Sequence, residues 1–298
     1  MAAKRMLRTV AETHSIDRHD LHVTASIGVS VYPDDGLDAE TLIKNADTAM
    51  YQAKAAGRQG FKFFKPAMFD RAVERQSIEE DLRRAVATLR KRGPDDQGLW
   101  LGGSGVGLGH TRLSILDLSA HGHQPMLSND GRLAMVFNGE VYNFAAIRSE
   151  LDAKGYRFVG TGDSEVILAA FQEWGVGDAV KRFVGMFAIA LWDVPTGRLT
   201  LIRDRLGVKP VYYGWNGRTL WFGSELKALR AYPHWQPRID KVALADFFRF
   251  SYIVEPLSIY EQVSKLPPGH FLELQRGGQP SMHRYWSVSD GPGHDTSA

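Results

Sequence analysis

Arg112, Asn138-Gly139 and Asp163 lie far apart in the chain, yet each has a side chain suited to holding a small polar molecule. A planar guanidinium such as that of Arg112 forks onto a carboxylate in a way Lys cannot reproduce. Its competing use is a salt bridge at a strand end. Asp163 can accept from an ammonium or cap the helix that follows it, and two oxygens with four lone-pair sites allow both. Asn-Gly alone is more often a turn. Within FNGEVYN (137–143), between an apolar strand and a helix, it becomes a side-chain amide beside a backbone N–H that a reactant can approach closely. Lys54 and Arg58, four residues apart, present two cations on one helix face, suited to phosphate. Equally, they are solvated cations favoured near a helix C-terminus. His121-Gly122-His123 lacks the carboxylate support a metal pair needs, so no metal is expected. The chain has no cysteine, which excludes a disulfide, a thiolate metal site and a cysteine nucleophile.

The elements that must position these groups fall into two stretches. In the first, residues 21–31 alternate, with Leu21, Val23, Ala25, Ile27, Val29 and Val31 facing one way, which predicts a strand with one buried face. Asp38 is placed to cap a helix striped by Leu42, Ala46, Ala49, Met50 and Ala53, and Gly57 to stop it. A short strand, Phe61 to Phe64, and a charged helix from Ala67 to Arg90 follow. Beyond about residue 85 the pattern predicts strands over Val106–Leu108, Leu133–Asn138, Met186–Trp192 and Leu199–Arg203. A hairpin is expected over Val211–Phe222 with Asn216-Gly217 at its turn. The helix after Asp163 carries Ile167, Ala170, Phe171 and Trp174 on one face and closes at Gly175. Helices over mixed strands give an α+β class.

Six motifs occur in order: RGPDD (92–96), HTRLSILD (110–117), FNGEVYN (137–143), TGDSEVIL (161–168), IRDRLGVKP (202–210) and FGSELKAL (222–229). Together they resemble the glutaminase half of asparagine synthetase, a class II glutamine amidotransferase domain, over residues ~85–290. TASIGVSVYPDDG (24–36) and ADTAMYQAKAAGRQG (46–60) resemble the C-terminal half of a GGDEF domain, the diguanylate cyclase module, over residues 1–84. The first resemblance implies the αββα sandwich of N-terminal-nucleophile hydrolases, here lacking its first strand and preceded by a partial GGDEF α/β unit. It also implies glutamine as the small-molecule partner. Arg112 would clamp the glutamine carboxylate and Asp163 accept from its ammonium, with Leu113, Ser114, Ile115, Leu116 and Glu140 completing the pocket. Asn138 and Gly139 would form the oxyanion hole. The second resemblance makes Lys54 and Arg58 vestigial phosphate ligands. With the GGDEF turn and acidic ligands absent, they are expected to point into solvent.

In the amidotransferase family the nucleophile is a terminal cysteine that uses its own amino group as base, so this chain is expected not to hydrolyse glutamine. The alternatives are a non-catalytic glutamine-binding module or a GGDEF-derived signalling remnant. ATP and Mg²⁺ belong to the family's synthetase half, whose pyrophosphate loop has no counterpart here. No cofactor is therefore expected, and a separate synthetase chain is not readable from the sequence. Arg203-Asp204-Arg205 with Gly207 and Pro210 reads as a fixed turn laced by ion pairs. The family's cysteine strand precedes RGPDD by about thirty residues, which lands on Phe61–Phe64. That segment either fills the vacated strand slot, setting Phe63 near Asn138, or pairs with residues 21–31. The second arrangement is favoured because 21–31 needs a neighbour, and it leaves the amidotransferase sheet with an open edge and an apolar slot.

With 44% apolar and 23% charged residues the chain is ordinary for a globular protein. Its 36 basic residues are mixed among 34 acidic ones, for a net charge of +2, which argues against nucleic acid or a membrane surface as partner. The start lacks the features of a signal peptide, and the longest apolar run, Met186 to Trp192, is too short to span a bilayer. A cytoplasmic protein is expected, with a small polar tail over 291–298 expected to be disordered.

Overall fold

The computed structural model of the protein describes residues 2–12, 14–16, 19–21, 23–103 and 105–290; the tail 291–298 lies outside them. The chain divides into two compact units, Met1–Ile78 and Glu79–Ala298, each described by itself. The division falls inside a helix, whereas the sequence placed a boundary after residue 84.

In the first unit, α1 (Ala2–Val10) precedes a short hairpin of β1 (His14–Ile16) and β2 (His19–Leu21). A β-α-β unit follows: β3 (Ile27–Val29), α2 (Ala39–Ala55) and β4 (Phe61–Phe63). β3 and β4 are parallel, with Ile27 opposite Phe61 and Val29 opposite Phe63, so Phe61–Phe64 pairs within 21–31 as favoured. A parallel pair needs such a helical crossover. Asp38 caps α2 as expected, its Oδ1 accepting from Thr41 N at 2.8 Å. Gly28 lets helix and strand touch, since a Cβ there would lie 1.8 Å from Ala46 O. The expected long strand over 21–31 is shorter: Leu21 belongs to the separate hairpin, 23–26 is irregular, His22 lies outside the described residues, and Val23 and Val31 are exposed. Alternation forms a strand only where a neighbour supplies hydrogen bonds and cover. Ala49 and Ala53 are the buried apolar residues described in this unit, so little core holds it.

α3 (Pro66–Thr88) leads into the second unit, followed by β5 (Asp96–Gly102), β6 (Val106–Arg112), β7 (Met126–Leu127) and β8 (Leu133–Val141). Next come α4 (Phe144–Ala153), α5 (Ser164–Arg182), β9 (Gly185–Asp193) and β10 (Arg198–Arg203). β11 (Tyr212–Asn216), β12 (Thr219–Gly223), α6 (Leu226–Arg230), α7 (Lys241–Phe250), β13 (Val263–Lys265), β14 (His270–Gln275) and β15 (Ser281–Arg284) complete it. Gly175 ends the first part of α5 with φ 71° and ψ 170°, but the chain resumes helix beyond it instead of closing there.

The strands form a six-stranded sheet, β15-β14-β10-β9-β8-β7, a three-stranded sheet, β12-β11-β13, and the β5-β6 pair. β8 and β9 are buried on both faces, which explains their unbroken apolar runs. Met135, Phe137, Phe187 and Ile189 face the helix side with Ile147, Leu151 and Val166. Ala134, Val136, Ala188 and Ala190 face the other way, in one cluster with Leu108 of β6, Val211, and Tyr213 of β11. The β5-β6 pair and the three-stranded sheet therefore cover the same face of the large sheet. The end of α3 lies over β6, where a Cβ on Gly109 would meet Val86 at 2.5 Å and Leu82 at 3.1 Å. Helices and sheets together make a mixed α+β arrangement.

Candidate functional site

β8 carries Asn138 and Gly139 out of the apolar core at the end where β6 terminates in Arg112. Gly139 has φ 151°, and a Cβ there would fall 2.0 Å from Met186 O, so only glycine lets β8 and β9 close at this point. Asn138 Nδ2 donates to Ser224 Oγ at 3.4 Å.

Arg112 is buried, and among the described residues it forms no salt bridge at the strand end. Its Nη1 donates to Ser119 O at 2.9 Å and its Nη2 to Asp117 O, both in the loop that follows β6. A Cβ on Gly122 would lie 1.9 Å from Nη2, so the loop packs directly on the guanidinium. A ligand at Arg112 would share the fork with these carbonyls. The side chain of Asp117 fastens the same loop to the next one: Oδ1 accepts from Ser119 N at 2.8 Å and Oδ2 from Thr161 N at 2.9 Å. The bonds from Ser119 and then Thr161 hold this carboxyl well below the usual range. Sequence reasoning missed Asp117 as a positioning residue, although it closes the HTRLSILD motif.

Asp163 precedes α5 without a side-chain capping bond. Glu165 serves the turn instead, its Oε2 accepting from Val159 N at 3.0 Å and Gly160 N at 2.9 Å. Asp163 Oδ2 accepts from Val141 N at 3.0 Å, and burial pushes the carboxyl above its ordinary value.

Arg112, Leu113, Ile115, Leu116, Asn138, Gly139, Glu140 and Asp163 all line one cavity of about 310 Å³. Leu113, Ile115 and Leu116 form an exposed rim. Ser114 is not in this lining; its N–H donates to Asp95 Oδ2 at 2.7 Å, beside a neighbouring depression. His123 Nδ1 contacts Asp96 Oδ2 at 2.6 Å and makes no pair with His121. Lys54 and Arg58 belong to the first unit, where both are exposed. Among the described residues no group of three or more His, Asp or Glu is arranged to hold a metal.

His110, also missed, lines the cavity with Nε2 3.0 Å from Phe137 O and a buried Nδ1 that has no partner. Burial lowers its pKa to about 4, so the imidazole is neutral in the fold. The unfolded chain takes up this proton near pH 6.5. Between pH 6.5 and about 4 the unfolded state binds more protons, and stability should fall as pH falls, by at most about 3 kcal/mol. Asp163 acts oppositely, because a raised carboxyl pKa favours the fold at acid pH and that gain is lost as pH rises. Urea titrations of wild type and His110→Gln over pH 4–7 should therefore show a flatter acid limb in the variant; superimposable pH profiles would refute the assignment.

Known proteins resemble the two units separately. The glutamine amidotransferase domain family matches residues 67–286, and the diguanylate cyclase GGDEF domain family matches residues 1–60. Asparagine synthetase [glutamine-hydrolyzing] 3 of Bacillus subtilis is 37% identical over 220 residues, which cover 72% of this chain and 35% of that protein. A putative asparagine synthetase [glutamine-hydrolyzing] 2 of Methanocaldococcus jannaschii is 37% identical over 236 residues, 72% of this chain and 45% of that protein. The chain thus spans about a third to a half of the length of these relatives. Among solved structures, the glutamine phosphoribosylpyrophosphate amidotransferase of B. subtilis aligns with a TM-score of 0.53 at 18% identity, covering 70% of this chain and 46% of that one. That likeness bears on the fold alone, which is mixed α+β. No described helix is long and apolar enough to cross a membrane.

Proposed function

The chain belongs to the glutamine amidotransferase domain family and is related to asparagine synthetases, and from that premise we propose that the second unit binds glutamine without hydrolysing it. The observation that carries this reading is the convergence of Arg112, Asn138, Gly139 and Asp163 on one cavity. Asp163 presents a buried carboxyl to the substrate ammonium, a charge-assisted contact that favours the ionised form and so opposes the effect of burial. Arg112, shared with the loop it holds, faces the carboxylate, and Asn138 with the Gly139 N–H receives the amide oxygen. Leu113, Ile115, Leu116 and Glu140 border the ligand. The absence of cysteine from the 298 residues supports binding without chemistry.

The finer architecture goes with this reading: an αββα sandwich without the strand that carries the nucleophile in the family, behind a partial GGDEF unit. Asparagine formation, with its ATP and Mg²⁺, would belong to the family's synthetase half, and the proposed setting is the cytoplasm. Lys54 and Arg58 are proposed as vestiges with no nucleotide to hold.

A thermal-shift titration tests the site. Glutamine at a hundredfold excess over Kd should stabilise the protein by about 2.7 kcal/mol, because it binds only the folded form. GTP should give no shift, and Asp163→Asn should weaken the glutamine response at least tenfold. A GTP-dependent shift with none from glutamine would favour the GGDEF-derived reading. An unchanged response in Asp163→Asn would remove the ammonium contact.

A further inference from the structure

On the side of β8 away from β9, the strand β7 ends at Leu127, and beyond it side chains take over the ladder. Residues of an antiparallel pair exchange both backbone bonds with the residue opposite or neither, in alternation. Every second residue of β8 therefore turns its N–H and C=O away from β9. Met135 is one of these, opposite Met126 of β7. The next, Phe137, is held by two side chains: its N–H donates to Gln124 Oε1 at 2.6 Å, and its C=O accepts from His110 Nε2 at 3.0 Å. A carbonyl can only accept, so the imidazole carries its proton on Nε2. Two residues after Gly139, Val141 N–H donates to Asp163 Oδ2 at 3.0 Å.

Gly139 lies between these two fixed points. Opposite it on β9 is Phe187, whose N–H donates to Asp204 Oδ2 at 3.2 Å and whose C=O accepts from Asp204 N at 2.8 Å. β9 thus offers Gly139 no bond, and its N–H turns to the open edge, where Gly139 lines the cavity. Glycine has no side chain to pack and a wide choice of backbone angles, so nothing of its own fixes the direction of that N–H. Asn138 has a single side-chain bond, the 3.4 Å contact to Ser224. Rigidity has to arrive through the neighbouring peptide. Phe137 can supply it, because its ring is buried in the core on the helix side while both its backbone groups are tied. His110 comes from β6 and Gln124 from the segment before β7, so two separate parts of the unit grip one residue.

We propose that His110 and Gln124 are positioning residues for the amide end of the ligand: acting through Phe137, they aim the Asn138 side chain and the Gly139 N–H at one point. This rests on glutamine as the ligand, and it assigns the pair to the side-chain amide oxygen alone. The α-amino and α-carboxyl groups stay with Asp163 and Arg112. Loss of either grip should therefore cost recognition of the amide and spare recognition of the amino-acid head.

Titration calorimetry of the full chain with L-glutamine and with L-norvaline separates the two. Norvaline keeps the α-amino and α-carboxyl groups and has no side-chain amide. His110→Phe removes the donor and Gln124→Met the acceptor, each at similar bulk. Either variant should bind glutamine about tenfold more weakly, the worth of roughly one hydrogen bond, with norvaline affected by less than about twofold. Gln124→Glu retains an acceptor oxygen and should keep most of the preference for glutamine. Combining His110→Phe with Gln124→Met should cost less than the product of the single losses, because both act on one residue. Equal proportional losses for the two ligands would reduce the pair to scaffold and overturn the proposal, as would unchanged glutamine binding in both variants. Where a variant fails to fold, or norvaline binds too weakly to measure, hydrogen exchange of the wild type decides. The Phe137 amide should be protected, and the Gly139 amide should exchange faster than it until glutamine slows it. Rapid exchange at Phe137, or no change at Gly139 on saturation with glutamine, would overturn the positioning role. No binding of glutamine to the wild type is a separate result: it removes the glutamine reading itself, and this assignment with it.

Discussion

Purified protein incubated with glutamine should release ammonia no faster than a control without enzyme. Amide hydrolysis through a covalent intermediate needs an activated nucleophile, and the chain contains no cysteine. Three hydroxyls line the cavity: Thr111 donates to Leu89 O at 3.3 Å, Ser224 receives the Asn138 amide, and Ser164 bonds to the neighbouring Asp163 carboxyl. All three sit at interior positions, without the free α-amino group that serves the family's nucleophile as base. Losing the nucleophile of a hydrolase that works this way costs on the order of a million-fold in turnover, leaving only binding and oxyanion effects. His110 offers no substitute, because its Nε2 is held by Phe137 O and its pKa of about 4 leaves it a weak base. Ammonia above the control that disappears in Arg112→Ala would overturn this expectation and locate a second nucleophile.

Each unit was legible in the sequence where a motif answers to a backbone constraint. Gly139 is required by the approach of β8 to Met186, Asp38 by the open start of α2, and Asn216-Gly217 by a tight hairpin. Strands buried on both faces announced themselves as apolar runs. β5 was not foreseen, because Asp96–Gly102 carries two glycines and pairs only with β6. The use of Arg112 was hidden for a different reason. Its partners are carbonyls of Asp117 and Ser119, which every residue type possesses, so no sequence pattern marks them. Asp163 likewise accepts from Val141 N instead of capping the helix, while Glu165 fastens the preceding turn, and only the loop path decides these partners. In the first unit the alternation of 21–31 overstated the strand, since the pattern presumes cover that the unit does not provide. The pairing of Phe61–Phe63 with Ile27–Val29 was nevertheless readable, because a local β-α-β crossover was the nearest way to satisfy both.

Asp204→Ala should destabilise the second unit by roughly 4–6 kcal/mol, enough to unfold most domains of modest stability. The turn IRDRLGVKP was read as laced by ion pairs, and one exists, with Arg203 Nη1 2.8 Å from Glu255 Oε1. The larger share of the work falls to the fully buried Asp204 carboxylate. Its Oδ1 accepts from Leu206 N at 3.1 Å and Val208 N at 2.9 Å; its Oδ2 accepts from Lys209 N at 2.9 Å and Phe187 N at 3.2 Å. Alanine would orphan four backbone donors in a place that water reaches poorly, at about 1–3 kcal/mol each before relaxation. Asp204→Asn keeps one acceptor oxygen and turns an NH₂ toward the remaining donors, so it should recover only part of the loss. Because Lys209, Pro210 and Val211 continue this turn into the cavity lining, whatever Asp204→Ala protein folds should also bind glutamine less well. Urea unfolding followed by tryptophan fluorescence measures the first effect. A midpoint shift equivalent to less than about 1 kcal/mol, the worth of a single ordinary hydrogen bond, would show that the turn is held by Arg203 and its ion pair instead.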